Sequence, residues 1–471
     1  MAYFNAGSRA LKAVLGFSTE WIPSAVPTVS SNSGALTAAA PEKSDHFVNA
    51  GRSVYYGLTV TIADAIGGFW LSVLFQALIV VWAIGLLVQL FAPRHPFLAP
   101  VIVIALALFT SISFFASFLM PDFLTGIVVI AAAALLTGWP RMRLAVRCQW
   151  LMLLLFGLIS HNTNIVITGM LLAVGFLLVW IVGRRAPLAG GLALVATLAA
   201  ALGLQAAAGL AVSMVYHAES SNPPFLTATL AEDPPGYHYL RDTCPDNGFR
   251  VCKFIGQLPE DSNDFLWSHE PGRALYATAS DELRSTLSSE QFPFALAVLR
   301  HDFFGQLAAS FDHFVAQLRQ FSLLAVAYSP GLNAHLLELL PRDRTDELRA
   351  SRLYEGRLPL SRFNLVNRVA IALSLVGIVI FLIRDFPRSG TVDLSRQLWL
   401  FVMLVILGVV FNAAVTGVLS NVTDRYQARV IWLIPAAALL IAASRRGALL
   451  SALRRARAPS PGDRNVAPAV T

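Results

Sequence analysis

Long apolar runs separated by short polar connections make up most of this chain. A membrane-spanning helix needs about 20 mainly apolar residues. Residues 69–92 and 97–119 meet that length, and 123–139 and 148–160 are shorter but uncharged. The last of these reaches back to Leu144 if Arg147 extends its side chain to the interface. Residues 165–182, 188–216, 365–383, 398–420 and 430–443 follow, which makes nine spans. One long polar stretch, 217–363, interrupts them between the sixth and the seventh.

Composition fits this pattern. The chain is 56% hydrophobic and 13% charged, with a mean hydropathy of +0.62. A soluble domain carries roughly twice that charge. The expected fold is an all-α polytopic membrane protein of 9–10 transmembrane helices with one large extracytoplasmic loop domain. The formal charge of +7 does not point to nucleic acid, because the arginines sit at the ends of apolar runs. They fall on every second connection: Arg94; Arg141, Arg143 and Arg147; Arg184 and Arg185; Arg384, Arg388 and Arg396; and Arg445 onward. The positive-inside rule assigns all of these to the cytoplasm. The C-terminus is then cytoplasmic, and 217–363 lies outside a bacterial inner membrane.

The expected units are an outside N-terminal segment 1–68, a six-span region 69–216, the loop domain 217–363, a three-span region 364–444 and a basic tail 445–471. Residues 1–40 read as a degenerate tenth span or a signal-like segment, because Glu20, Pro23 and Pro27 interrupt their apolar run. The loop holds 19 acidic against 13 basic residues. Cys244 and Cys252 flank a turn-rich stretch in it, and an oxidising compartment favours a disulfide there, with two free thiols the alternative. Residues 292–324 read as a helix with Leu307, Phe311, Phe314, Leu318 and Phe321 on one face. That face either lies in the membrane interface or packs inward, and the preferred reading has it holding the loop on the spans. Residues 257–267 and 341–362 read as connections.

Ionisable and polar groups gather at the outer ends of the spans, where they mark function more often than chance. Asp45, His46 and Arg52 precede the first span, and Asp122 opens the third. His161 and Asn162 join the fourth and fifth, and His217 follows the sixth. Arg425, Tyr426 and Arg429 precede the ninth. Each has a plainer reading: Asp122 as a helix cap, His161 and Asn162 as a turn, Asp424 and Arg425 as a local ion pair. A phosphate-bearing lipid needs arginine, and sugar transfer from it needs a carboxylate base. No Cys/His cluster has metal-ligand spacing, and no Gly-rich phosphate loop is present. The sequence calls for no particular cofactor, and a divalent cation is compatible with it.

The layout resembles the GT-C superfamily of polytopic glycosyltransferases, through Asp45 in the first outer segment and the juxtamembrane stretch Asn49 to Gly57 after it. It is also similar to an uncharacterised bacterial inner-membrane family, through Met120-Pro121-Asp122, Ser160-His161-Asn162, the Cys244 and Cys252 loop, and Asp424 to Arg429. The GT-C resemblance implies transfer of a sugar from a polyprenyl-phosphate donor at the outer face. Asp45, Asp122 and His161 would then be catalytic, and Arg52, His46, Asn162, His217, Arg425, Tyr426 and Arg429 would bind substrate. A transporter or lipid flippase and a non-catalytic envelope scaffold are the competing readings. The transporter reading lacks its usual mid-membrane polar sites, since Gln76, Gln205 and Asn412 are scattered.

Overall fold

The computed structural model describes residues 47–49, 52–183, 186–216, 219–259, 261–268, 275–327, 342–386 and 394–457. The first membrane region comprises β1 (Phe47–Asn49), α1 (Val54–Gly67), α2 (Phe69–Phe91), α3 (Leu98–Phe109), α4 (Ile112–Ser117), α5 (Phe123–Gly138), α6 (Leu144–Ser160), α7 (Asn162–Met170), α8 (Phe176–Gly183) and α9 (Leu188–Tyr216). The loop domain holds β2 (Glu219–Ser221), α10 (Phe225–Glu232), α11 (Pro234–Thr243), α12 (Ser262–Trp267), α13 (Asp281–His301), α14 (Phe303–Arg319) and α15 (Arg342–Arg349). The chain returns to the membrane with α16 (Leu360–Arg384), α17 (Leu394–Leu419), α18 (Asp424–Ile431) and α19 (Leu433–Arg457).

Among the described residues, seven helical stretches are long and apolar enough to cross a membrane, and α3 and α6 are shorter apolar helices. The protein is an all-α polytopic membrane protein. Its β1 and β2 form one parallel pair of three residues each, which lays the entry to α1 beside the entry to the loop domain.

Helix α5 is the axis of the bundle. Every residue from Phe123 to Gly138 is buried. Small residues make this feasible, because in a bilayer helices are drawn together by close packing rather than by exclusion of water. A Cβ on Gly157 of α6 would stand 2.2 Å from Val128, and one on Gly190 of α9 would stand 2.3 Å from the Leu135 carbonyl.

The span 97–119 expected as one helix is two. Thr110 is extended, and the Ser111 hydroxyl donates to the Ala428 carbonyl at 2.6 Å instead of supporting a continuous helix. The ninth span starts earlier than expected, at Asp424, and breaks at Trp432. Pro435 has no N–H to return to the Ile431 carbonyl, so α18 stops and α19 begins anew. The fourth does reach back to Leu144.

The loop domain has its own core, built from Leu240, Val251, Phe265, Leu287, Phe294 and Val298. Cys244 and Cys252 are joined in a disulfide. Both stretches read as connections contain short helices, α12 and α15. The expected helix 292–324 is divided at Asp302, whose carboxylate accepts from the Gly305 N–H at 2.8 Å and starts α14 afresh.

Helix α14 seats the loop domain on α17, but through a polar face about 110° round the helix from the apolar stripe rather than through the stripe itself. Gln317 is fully buried; its side chain donates to the Thr423 carbonyl at 2.8 Å and accepts from the Thr423 N–H at 3.0 Å. Gln306 donates to Asp233 at 3.0 Å, and His313 lies 3.3 Å from the same carboxylate. Burial pushes the Asp233 carboxyl above its ordinary range, against the opposing pull of Gln306 and His313. Gly417 lets the helices meet, since a Cβ there would stand 2.8 Å from the His313 carbonyl. Leu307 and Phe311 of the apolar stripe are exposed, while Phe321 packs against the membrane core.

Candidate functional site

Asp122 stands at the start of α5, and its backbone is already helical with no side-chain capping bond. The capping role open to it in the sequence is therefore not the one it takes. Its carboxylate, 2% exposed as a residue, turns to the arginines of α18. Arg425 and Arg429 are four residues apart, which puts both on one face of that helix. Arg429 Nη1 lies 3.2 Å and Arg425 Nε 3.5 Å from the same Asp122 oxygen. Two guanidiniums on one carboxylate oxygen favour the anion and make it a poor proton acceptor.

Arg429 has no exposed surface. Its Nη2 donates to Asn412 Oδ1 at 3.0 Å and to Thr163 Oγ1 at 3.4 Å, and its Nη1 also reaches His161 Nε2 at 3.3 Å. A guanidinium only donates, so His161 Nε2 accepts. His161 Nδ1 then carries the proton and donates to Thr163 Oγ1 at 2.6 Å. The imidazole is thus neutral in this geometry, with both nitrogens engaged. Its position comes from a break in the chain: His161 is extended between α6 and α7, and Asn164 closes the gap by donating to the Gly157 carbonyl at 2.8 Å.

Asn412 completes the cluster, holding the α18 backbone by donating to the Tyr426 carbonyl at 2.8 Å. Both arginines also approach the Tyr426 ring, their guanidinium carbons 5.3 Å (Arg425) and 5.1 Å (Arg429) from its centre. Asp424 is the N-terminal acid of α18, and it accepts from the Ser322 N–H at 2.6 Å rather than pairing with Arg425. Sequence reasoning set Asn412 aside as scattered and did not single out Thr163. The signal for Asn412 was there: an amide in a long apolar helix is costly unless it is hydrogen-bonded.

Of the expected site residues, Asp122, His161, Arg425, Tyr426 and Arg429 come together. Arg429 is too enclosed to meet a substrate and serves as the clamp of the cluster. Arg425, with its side chain 35% exposed, is the cationic group on the surface side. Asn162 is exposed beside the cluster and outside its bonding. Arg52 lies over the Trp267 ring at 5.6 Å, close enough to the cluster for its charge to bear on His161. Asp45, His46 and His217 lie outside the described residues.

Tyr426 also borders a narrow crevice of about 10 Å³ between the loop domain and the end of α17. Trp267, Phe225, Asn263, Ser420 and Asn421 are among its walls. A larger cleft lined by Leu172, Phe176, Leu192 and Val195 is wholly apolar, lies among lipid-facing side chains and offers no chemistry. Among the described residues, no three His, Cys, Asp or Glu side chains are grouped to hold a metal ion. No family model, curated protein or solved structure matches the chain, so the reading of its site rests on this geometry.

Proposed function

We propose that the chain is a GT-C-like membrane glycosyltransferase, acting on a polyprenyl-phosphate sugar at the outer face of a bacterial inner membrane. The observation that carries this reading is convergence. Asp122, His161 and Arg425 come from three separate connections at one end of the bundle and meet around Arg429. The alternation of basic connections supports placing that end outside and the C-terminus in the cytoplasm. Arg425 meets the donor phosphate, and Arg429 and Asp122 hold Arg425 and Tyr426 in place. In the reaction the acceptor hydroxyl oxygen bonds to the anomeric carbon, the bond to the phosphate oxygen breaks, and the hydroxyl proton passes to a carboxylate. The engaged Asp122 is unsuited to that last role, which falls to Asp45.

The test is transfer by the purified full-length protein from a panel of labelled polyprenyl-phosphate sugars. Arg425→Ala loses transfer at least 100-fold with unchanged elution and melting temperature. No transfer by the wild type from any donor in the panel removes the reading. It leaves the second one, a scaffold, which the full enclosure of Arg429 favours.

A further inference from the structure

The exposed face of α14 is apolar and its buried face is polar, the reverse of a helix on a water-soluble surface. Phe303, Phe304, Leu307 and Phe311 are 53%, 79%, 55% and 60% exposed. At about 100° per residue these four share one face of the helix, and Gln306, His313 and Gln317 share the adjoining one. Asp312 and Arg319, both exposed, stand at the border of the apolar side. Contiguous exposed aromatics of this kind are rare on a surface that faces water.

What covers the face follows from where the helix is held. The polar side of α14 is bonded to Thr423, just beyond the end of α17, and rests on Gly417 within α17. Because α17 is a span, α14 lies about one helix diameter, 8–10 Å, from a membrane-crossing axis at its outer end. An apolar helix face held there lies at the end of a span, where bilayer meets water. The charged pair at its border is where an interfacial helix carries charge.

We propose that Phe303, Phe304, Leu307 and Phe311 rest in the lipid interface, on the side of the bilayer where Asp122 lies. The loop domain is then anchored twice, by polar bonds to α17 and by an aromatic face in lipid. The anchor fixes the crevice at Trp267 and Tyr426 at the height of lipid headgroups. It is independent of the reaction proposed above.

The test uses the full chain in lipid nanodiscs, with Cys148→Ser and a nitroxide on Phe304→Cys, Phe311→Cys or Asp312→Cys. Collisional relaxation by oxygen, which concentrates in lipid, is compared with that by a water-soluble nickel chelate. At 304 and 311 oxygen is expected to exceed nickel several-fold, and at 312 the order reverses. Nickel exceeding oxygen at 304 and 311 means the face is in water and overturns the proposal. Protection from both reagents there means a protein covers the face and overturns it equally. All three labelled positions are exposed.

Discussion

Arg429 illustrates how little of a residue's role its type and neighbours in sequence reveal. As one of two arginines before a span, it read as a phosphate ligand. It is instead fully buried, with donors spent on Asp122, His161, Asn412 and Thr163. A buried charge is tolerable only when its partners are in place, and removing one partner leaves the other stranded. Arg429→Ala is therefore expected to destabilise the protein by about 3–5 kcal/mol, and Arg429→Lys to recover only part of it, since an ammonium cannot match the planar fork. Unfolding in mixed detergent with increasing SDS reads this directly. An Arg429→Ala protein as stable as wild type would show that the cluster is not a clamp. Asp122 and His161 were legible as residues to watch, but their state was not: it is set by the arginines of α18, 268 positions from His161 and 307 from Asp122, with Thr163 the one partner close in the chain.

At the scale of elements, helix periodicity was readable and helix facing was not. The spacing of Leu307, Phe311, Phe314 and Leu318 does mark one side of a helix, yet hydrophobicity alone does not say whether that side meets protein or lipid. Three polar side chains, Gln306, His313 and Gln317, decided it by finding buried partners on α10–α11 and beyond α17. Asp233 gives this seat a pH dependence. Its folded pKa is raised, so the native state keeps the proton to higher pH than the unfolded chain. That contribution to stability is full below the ordinary carboxylate value of about 4 and is lost as pH rises through the raised value. Asp233→Asn imitates the protonated acid. Melting temperatures measured between pH 4 and 7 should show the wild type losing ground to this variant as pH rises. Parallel curves for the two proteins would refute the linkage. Breaks within spans were likewise beyond periodicity, because Ser111 needed the Ala428 carbonyl as a partner to end a helix there.

The whole molecule is a bundle around α5, with a disulfide-bearing domain at one end. The arginine pattern supports the proposal that this domain lies outside, and a single cysteine tests it. In a Cys148→Ser background, Ser289→Cys on the exposed side of α13 should react with a membrane-impermeant maleimide in right-side-out vesicles and stay unlabelled in sealed inverted ones. The opposite pattern reverses the sidedness. Sequence by itself determined the class of protein, the positions of the spans within a few residues, the cysteine pair, and the gathering of polar groups at one end. These depend on local length, hydrophobicity and charge, which solvent and bilayer read directly. Only the tertiary structure decided that α5 is the buried axis and that α14 turns its phenylalanines outward. It alone showed Arg429 locked between Asp122, His161 and Asn412 while Arg425 keeps a surface. Those outcomes depend on which distant side chains satisfy each buried donor and acceptor, and no local pattern encodes that choice.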